Sequence, residues 1–300
     1  MRFEFVATKK TKVKTLLKEH DVSKGLLAKI KYKGGNIWVN GVAQNAIYLL
    51  DIGDVVAIDI PNEEPFEQLT AISHDLDIVY EDEHFLILNK PAGYASIPSA
   101  IHSNTIANFI KAYYIEQDYP NKQVHIVTRL DRDTSGLMLF AKHGYAHARL
   151  DKQLQQRAIN KRYYALVCGQ ERLPDQGEII APIGRTDDSI ITRTVTPKGK
   201  YAKTSYKVIA RYPENVSLVD ITLHTGRTHQ IRVHFAHLGF PLLGDDLYGG
   251  RLDLGMTRQA LHCHHLSFTH PFTKSKSDHT ICLTDDFESV IIDLQKKDRG

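Results

Sequence analysis

His125-Ile126-Val127-Thr128-Arg129-Leu130-Asp131-Arg132-Asp133-Thr134-Ser135-Gly136-Leu137-Met138-Leu139-Phe140-Ala141-Lys142 sets Arg129, Asp131, Arg132 and Asp133 immediately before a continuous apolar run. Leu137–Ala141 predicts a buried strand, and Thr134-Ser135-Gly136 a tight link leading into it. A carboxylate held beside guanidinium groups is favoured in its charged form. An ionised carboxylate can act as a nucleophile. The same residue types also describe a structural ion pair beside a buried strand, and on charge and spacing alone that is the more ordinary reading.

Working outward, strand patterns surround this segment. Leu76–Tyr80 and Phe85–Leu88 read as strands joined by a turn at Asp82-Glu83-His84, and further strands are expected at 163–168, 204–210 and 217–223. Helical patterns fall at 104–115 and 144–156. The two types do not alternate as in a parallel nucleotide-binding fold. The expected class is therefore α+β, with a mixed, largely antiparallel sheet.

The N-terminal part has a different character. Lys9, Lys10, Lys12, Lys14, Lys18, Lys24, Lys29, Lys31 and Lys33 are opposed only by Glu19 and Asp21, and from Asp51 to Glu83 the sign reverses. A net charge of +3 thus conceals a basic surface suited to phosphate backbones, although a solvated lysine face fits the charge equally well. Val13, Leu16 and Leu17 mark a short helix. Ser23 caps a second helix carrying Leu26, Leu27 and Ile30, which ends at Gly34-Gly35. Asn40-Gly41 between apolar residues predicts a hairpin turn, and short strands follow to Ile60, broken at Gly53-Asp54. Pro61-Asn62-Glu63-Glu64-Pro65 reads as a linker. Two domains are expected, 1–68 and 69–300.

Cys168, Cys263 and Cys282 form neither a disulfide framework nor a paired metal clip. The N-terminus lacks the apolar core of a signal peptide, and no run is long enough to span a membrane. A cytoplasmic monomer is the expectation. His262, His264, His265 and His270 read as strand-end histidines, since strand alternation would split a metal-binding set between two faces. Asp187-Asp188 and Asp245-Asp246 read as turn residues, and Gly249-Gly250 is too short for a phosphate loop.

Four stretches in series carry a resemblance. Asn89-Lys90-Pro91-Ala92-Gly93, Arg129-Leu130-Asp131 with Thr134-Ser135-Gly136-Leu137, Lys161-Arg162-Tyr163-Tyr164-Ala165, and Thr225-Gly226-Arg227-Thr228-His229-Gln230-Ile231-Arg232-Val233-His234 together resemble the motifs of the RluA/RluD-type pseudouridine synthases. Pro241–Asp245, Leu247–Gly250, Leu261-His262 and His270-Pro271 extend the pattern, which covers roughly 76–285. The N-terminal fifty residues resemble the alpha-L (S-four-like) RNA-binding module, although its usual arginine-leucine-aspartate opening is replaced by Lys14-Thr15-Leu16.

The resemblance implies isomerisation of uridine in structured RNA, most naturally large-subunit ribosomal RNA, with transfer RNA as the other candidate. It implies that Asp131 is the catalytic aspartate, that Arg232 pairs with it and aims it, and that Tyr163 packs on the flipped base. By the same resemblance Arg129 is expected to fill the gap that the uridine leaves, whereas Lys24, Lys29 and Lys31 are expected on charge alone to serve the basic RNA-binding face. Thr128 stands where family members often carry histidine. The reaction requires no metal, cofactor or redox step. Two rival functions are an RNA-binding ribosome-assembly factor with secondary or no catalysis, and a hydrolase that releases uracil.

Overall fold

The computed structural model describes residues 1–63, 67–99, 101–169, 171–186 and 189–298. Glu64 and Pro65 of the expected linker and the Asp187-Asp188 pair lie outside the described residues.

The N-terminal unit comprises β1 (Arg2–Val6), β2 (Thr11–Lys12), α1 (Val13–Glu19), α2 (Lys24–Tyr32), β3 (Asn36–Val39), β4 (Val42–Ala43), β5 (Leu49–Leu50) and β6 (Val55–Asp59). Its sheet has the order β1-β6-β3-β4, and β2 pairs with β5. A side-chain cap explains the start of α2. Ser23 Oγ accepts the Leu26 N–H at 3.1 Å, satisfying one of the free donors at the start of α2. Asn40 and Gly41 both take positive φ, as a tight hairpin between β3 and β4 requires. β1 was not apparent from the sequence pattern. Its residues alternate between exposed and half-covered, and it is the antiparallel pairing with β6 that makes it a strand.

The larger unit continues with β7 (Ile78–Glu81), β8 (Phe85–Lys90), α3 (Ile106–Glu116), β9 (His125–Ile126), β10 (Ser135–Ala141), α4 (Gly144–Gln155), β11 (Asn160–Cys168) and β12 (Gln176–Ile180). There follow β13 (Ile183–Thr186), β14 (Ser189–Val195), β15 (Lys203–Tyr212), β16 (Val216–Leu223), α5 (Gln230–His237), β17 (Leu261–Thr269), β18 (Lys276–Thr280) and α6 (Asp285–Asp298). The main sheet runs β12-β15-β16-β11-β17-β10-β8-β7, with β18 on β17 and β9 on β10. β10 and β17 run parallel and the other pairings are antiparallel, so the mixed α+β class expected above is the class observed.

Both faces of the sheet are covered. Ala165 and Val167 on β11 join a core that includes Phe109 and Ile110 of α3 and Ala146 and Leu150 of α4. Leu166 and Cys168, on the opposite pleat, join Phe287, Val290 and Leu294 of α6. β10 sits in the middle of the sheet and is buried at every residue, which explains its uninterrupted apolar run. Gly136 is obligatory there: its φ is +112°, and a Cβ would lie 2.3 Å from the Cys263 carbonyl oxygen.

Several details depart from the sequence reading. His262, His264 and His265 lie within β17 rather than at its end, each with its own partner: Ser135 Oγ at 2.9 Å, Asp220 at 3.3 Å and Asp278 at 2.7 Å. Among the described residues, no three His, Cys, Asp or Glu side chains gather as a metal site would need. No helix among them is long and apolar enough to cross a membrane.

Glu63, expected in a solvated linker, is instead a joint between the two units. Its carboxylate accepts the Gly144 N–H at 2.9 Å and lies 2.7 Å from His125 Nε2 and 3.1 Å from Lys29 Nζ. Burial alone would raise its pKa, but His125, Lys29 and the Gly144 N–H overcome that and hold it down to about 2. Tyr145 of α4 extends the joint by packing into the N-terminal core, edge-on to Phe3 at 5.0 Å.

Candidate active site

A cleft of about 970 Å³ opens across the middle of the main sheet. Its walls come from the loop before β10, the start of β11, the end of β16 and the segment leading into α5. Asp131, Arg129, Tyr163 and Arg232, separated by up to 103 positions in the chain, all line it.

The loop bearing Asp131 is pinned along its length. Ser96 Oγ accepts from the Leu130 N–H at 3.2 Å and donates to the Leu130 carbonyl at 2.7 Å. Lys90, fully buried, donates to the carbonyls of Pro91, Tyr94 and Arg132 at 2.7–2.9 Å. Its ammonium thus ties the Asn89–Gly93 turn to the aspartate loop, while burial pushes its pKa down to about 7. Thr128 Oγ1 accepts the Leu139 N–H at 2.9 Å, so this position fastens the loop to β10 at the wall of the cleft. Arg132 and Asp133 form the ordinary ion pair, Nε and Nη2 reaching the carboxylate at 2.8–3.1 Å. Asp131 stays out of that pair. The structural reading of the charged run thus applies to Arg132 and Asp133 and leaves the Asp131 carboxylate outside it.

Arg232 departs from the expected simple pairing with Asp131. Its Nε and Nη2 are bound by the carboxylate of Asp245 at 2.7 and 2.6 Å, leaving Nη1 3.9 Å from Asp131 Oδ2. Asp245 is fully buried and is more than the turn residue its sequence suggests. Burial works against the guanidinium charge, and Asp245 more than restores it, so the Arg232 pKa rises. His229, expected from its motif to be structural or RNA-proximal rather than metal-binding, lies 4.0 Å from the same Asp131 oxygen. Tyr163 is 3% exposed; burial foremost, then Cys263 and Asp131, push its phenol well above the ordinary range. It is therefore neutral at physiological pH, able to stack and donate. Arg129 is exposed at the rim.

Residues 84–237 match the model of the RNA pseudouridylate synthase family. The chain belongs to this family. It is 46% identical over 93% of its length, and 98% of the relative's, to an uncharacterized RNA pseudouridine synthase, YjbO, of Bacillus subtilis. It is 36% identical to the ribosomal large subunit pseudouridine synthase D of Pseudomonas aeruginosa, over 89% of this chain and 86% of that one. Its fold is similar to that of the human RNA pseudouridylate synthase domain containing 4, with a TM-score of 0.61 at 21% identity, covering 73% of this chain and 92% of that one. The synthase thus has RNA as its substrate and an RluA-type catalytic domain.

The basic face expected for RNA binding is not uniform. Lys24 and Lys31 are exposed on α2, Lys31 lying 4.9 Å from the Tyr32 ring. Lys29, by contrast, is the partner of Glu63 and helps join the two units. The contacts that sequence reasoning missed, those of Asp245, His229 and Glu63, are made with residues of other elements.

Proposed function

We propose that the synthase isomerises a uridine of large-subunit ribosomal RNA with Asp131 as the nucleophile, Arg232 and Tyr163 completing the catalytic set and Arg129 entering the RNA stack. The observation that carries this reading is the carboxylate of Asp131, the one acidic side chain among the described residues lining the cleft, with a held guanidinium 3.9 Å away and a buried phenol lining the same wall. The carboxylate adds to C1′ as the C1′–N1 bond breaks and its electron pair leaves with the uracil. The ring turns, C5 displaces the carboxylate from C1′, the C5 hydrogen departs to solvent and N1 takes up a proton. Flipping the base out of its stack costs a few kcal/mol. Stacking on Tyr163 and insertion of Arg129 offset part of that cost.

Large-subunit ribosomal RNA is favoured by the names of relatives at 34–36% identity, the D enzyme above and a C enzyme of Vibrio vulnificus. Residues 1–68 serve as an RNA-binding module through Lys24 and Lys31.

The test is tritium release from RNA labelled at uracil C5. Wild type should release tritium and Asp131→Asn should not, with large-subunit transcripts preferred over transfer RNA. Faster release from transfer RNA would overturn the substrate assignment. Full activity in Asp131→Asn would overturn the nucleophile. Free uracil among the products would indicate the hydrolase.

A further inference from the structure

Two donors converge on Asp131 Oδ2 without touching it. Arg232 Nη1 is 3.9 Å away and His229 Nε2 is 4.0 Å away, both beyond hydrogen-bond range. One bridging oxygen spans such a gap.

His229 is held in place from two sides. It takes a left-handed backbone, φ 55°, immediately before α5. Its Nδ1 lies 2.9 Å from the Tyr248 hydroxyl, which itself accepts the Arg193 N–H at 3.0 Å. In the arrangement that also pairs its own proton, the hydroxyl donates to Nδ1. The imidazole then carries its hydrogen on Nε2, facing Asp131. Burial lowers the His229 pKa by more than Asp131 raises it, consistent with a neutral ring. The Tyr248 ring also lies under the Arg232 guanidinium, 4.9 Å away. A single tyrosine thereby positions both neighbours of the carboxylate.

We infer that His229, held by Tyr248 as its Nε2–H tautomer, and Asp131 together grip the 2′-hydroxyl of the target nucleotide. This inference rests on the reading of Asp131 as nucleophile. Of the oxygens near C1′, the ribose ring oxygen and the uracil O2 can only accept. A hydroxyl alone accepts from an N–H and donates to a carboxylate at once. Oδ2 takes that proton donor and leaves Oδ1 for C1′. Since the 2′-hydroxyl is what separates RNA from DNA at a given site, the pair would make the target itself a point of sugar discrimination.

Two measurements test this. In protein labelled with 15N-histidine, long-range 1H–15N correlations report each ring's tautomer, and His229 is identified by the signals that vanish in His229→Asn. The Nε2–H pattern is expected; an Nδ1–H pattern would overturn the inference. The second is a cycle of wild type and His229→Asn against RNA carrying uridine or 2′-deoxyuridine at the target alone. Asparagine tolerates the left-handed backbone, and its amide stops short of the Nε2 position. Each single change should slow tritium release on the order of tenfold, and both together little more than either. Multiplication of the two losses would overturn the proposal. Tyr248→Phe, which keeps the ring under Arg232, should lower kcat with KM for RNA unchanged and mix the His229 tautomers. An unmixed tautomer in Tyr248→Phe would count against the holding role. No release from all-ribose RNA by wild type would overturn the nucleophile reading and this inference with it, whereas active wild type with additive losses would overturn this inference alone.

Discussion

The cleft around Asp131 and the N-terminal unit both concentrate positive charge, yet they hold it differently. In the cleft, the guanidinium of Arg232 is 7% exposed, braced by a buried carboxylate and a tyrosine ring. On the module, Lys24 and Lys31 project into solvent. A braced, desolvated charge acts on one point in a fixed direction and is costly to disturb. A solvated lysine acts as a mobile counterion to a phosphate, and its effect depends on salt. The two regions therefore predict two kinds of mutational response: loss of turnover at the cleft and a change of salt slope at the module.

The largest effect is expected from Asp131→Asn, with turnover falling at least on the order of 10³-fold because the carboxylate proposed to attack C1′ is removed. Its melting temperature should match wild type, since Asp131 makes no close ion pair; a lowered melting temperature would recast the residue as structural. Next comes Asp245→Asn. It leaves Arg232 buried with half of its support, so stability should drop by about 3 kcal/mol, and turnover should fall as Nη1 loses its aim. Urea unfolding and tritium release measure the two losses separately. Loss of stability without loss of turnover would show that Asp131 does not depend on Arg232.

Glu63→Gln tests the joint between the two regions. The native carboxylate has a pKa of about 2 against an ordinary value of 4.5. A depressed carboxylate contributes stability above the unfolded value and loses it as pH falls through the folded value. The wild type should therefore exceed the variant by on the order of 2 kcal/mol at pH 7. That margin should shrink between pH 4.5 and about 2. A margin independent of pH would mean that packing, and not the charge of Glu63, holds the joint.

These three residues were unequally legible in the sequence. Asp131 was singled out by the resemblance, since charge and spacing alone favoured an ordinary ion pair, whereas β10 announced itself through the five consecutive apolar residues Leu137–Ala141. Strands β11, β15 and β16 were anticipated to within a few residues, since each has enough alternating or apolar positions to carry its own signal. Asp245 read as part of a turn because its partner Arg232 comes from a different element, 13 positions earlier. Glu63 read as linker because His125 and Gly144 lie 62 and 81 positions away. Local pattern reports what a segment does to its own backbone; it is silent on which distant charge a side chain will meet. The ion pair of Lys29 was hidden for the same reason: in the sequence it is one lysine among nine, and only the fold places Glu63 beside it.

The smallest effect, and the sharpest division between the two regions, is expected within α2 itself. Replacing Lys24 and Lys31 together with alanine should weaken RNA binding on the order of tenfold near physiological salt, leaving kcat unchanged. The slope of log K against log salt should become less negative by about 0.7–0.9 for each phosphate that is no longer neutralised. Lys29→Ala, on the same helix, should leave that slope alone and lower stability by up to about 1 kcal/mol, because it breaks a half-exposed ion pair with Glu63. Filter binding across a salt series and a melting curve on each variant separate the outcomes. If Lys29→Ala shifts the slope as much as Lys24→Ala does, the lysines form one undifferentiated cationic face and the distinction between joint and binding surface fails. If only Lys24 and Lys31 move it, neighbouring turns of one short helix divide the work, one side anchoring the module and the other meeting the RNA.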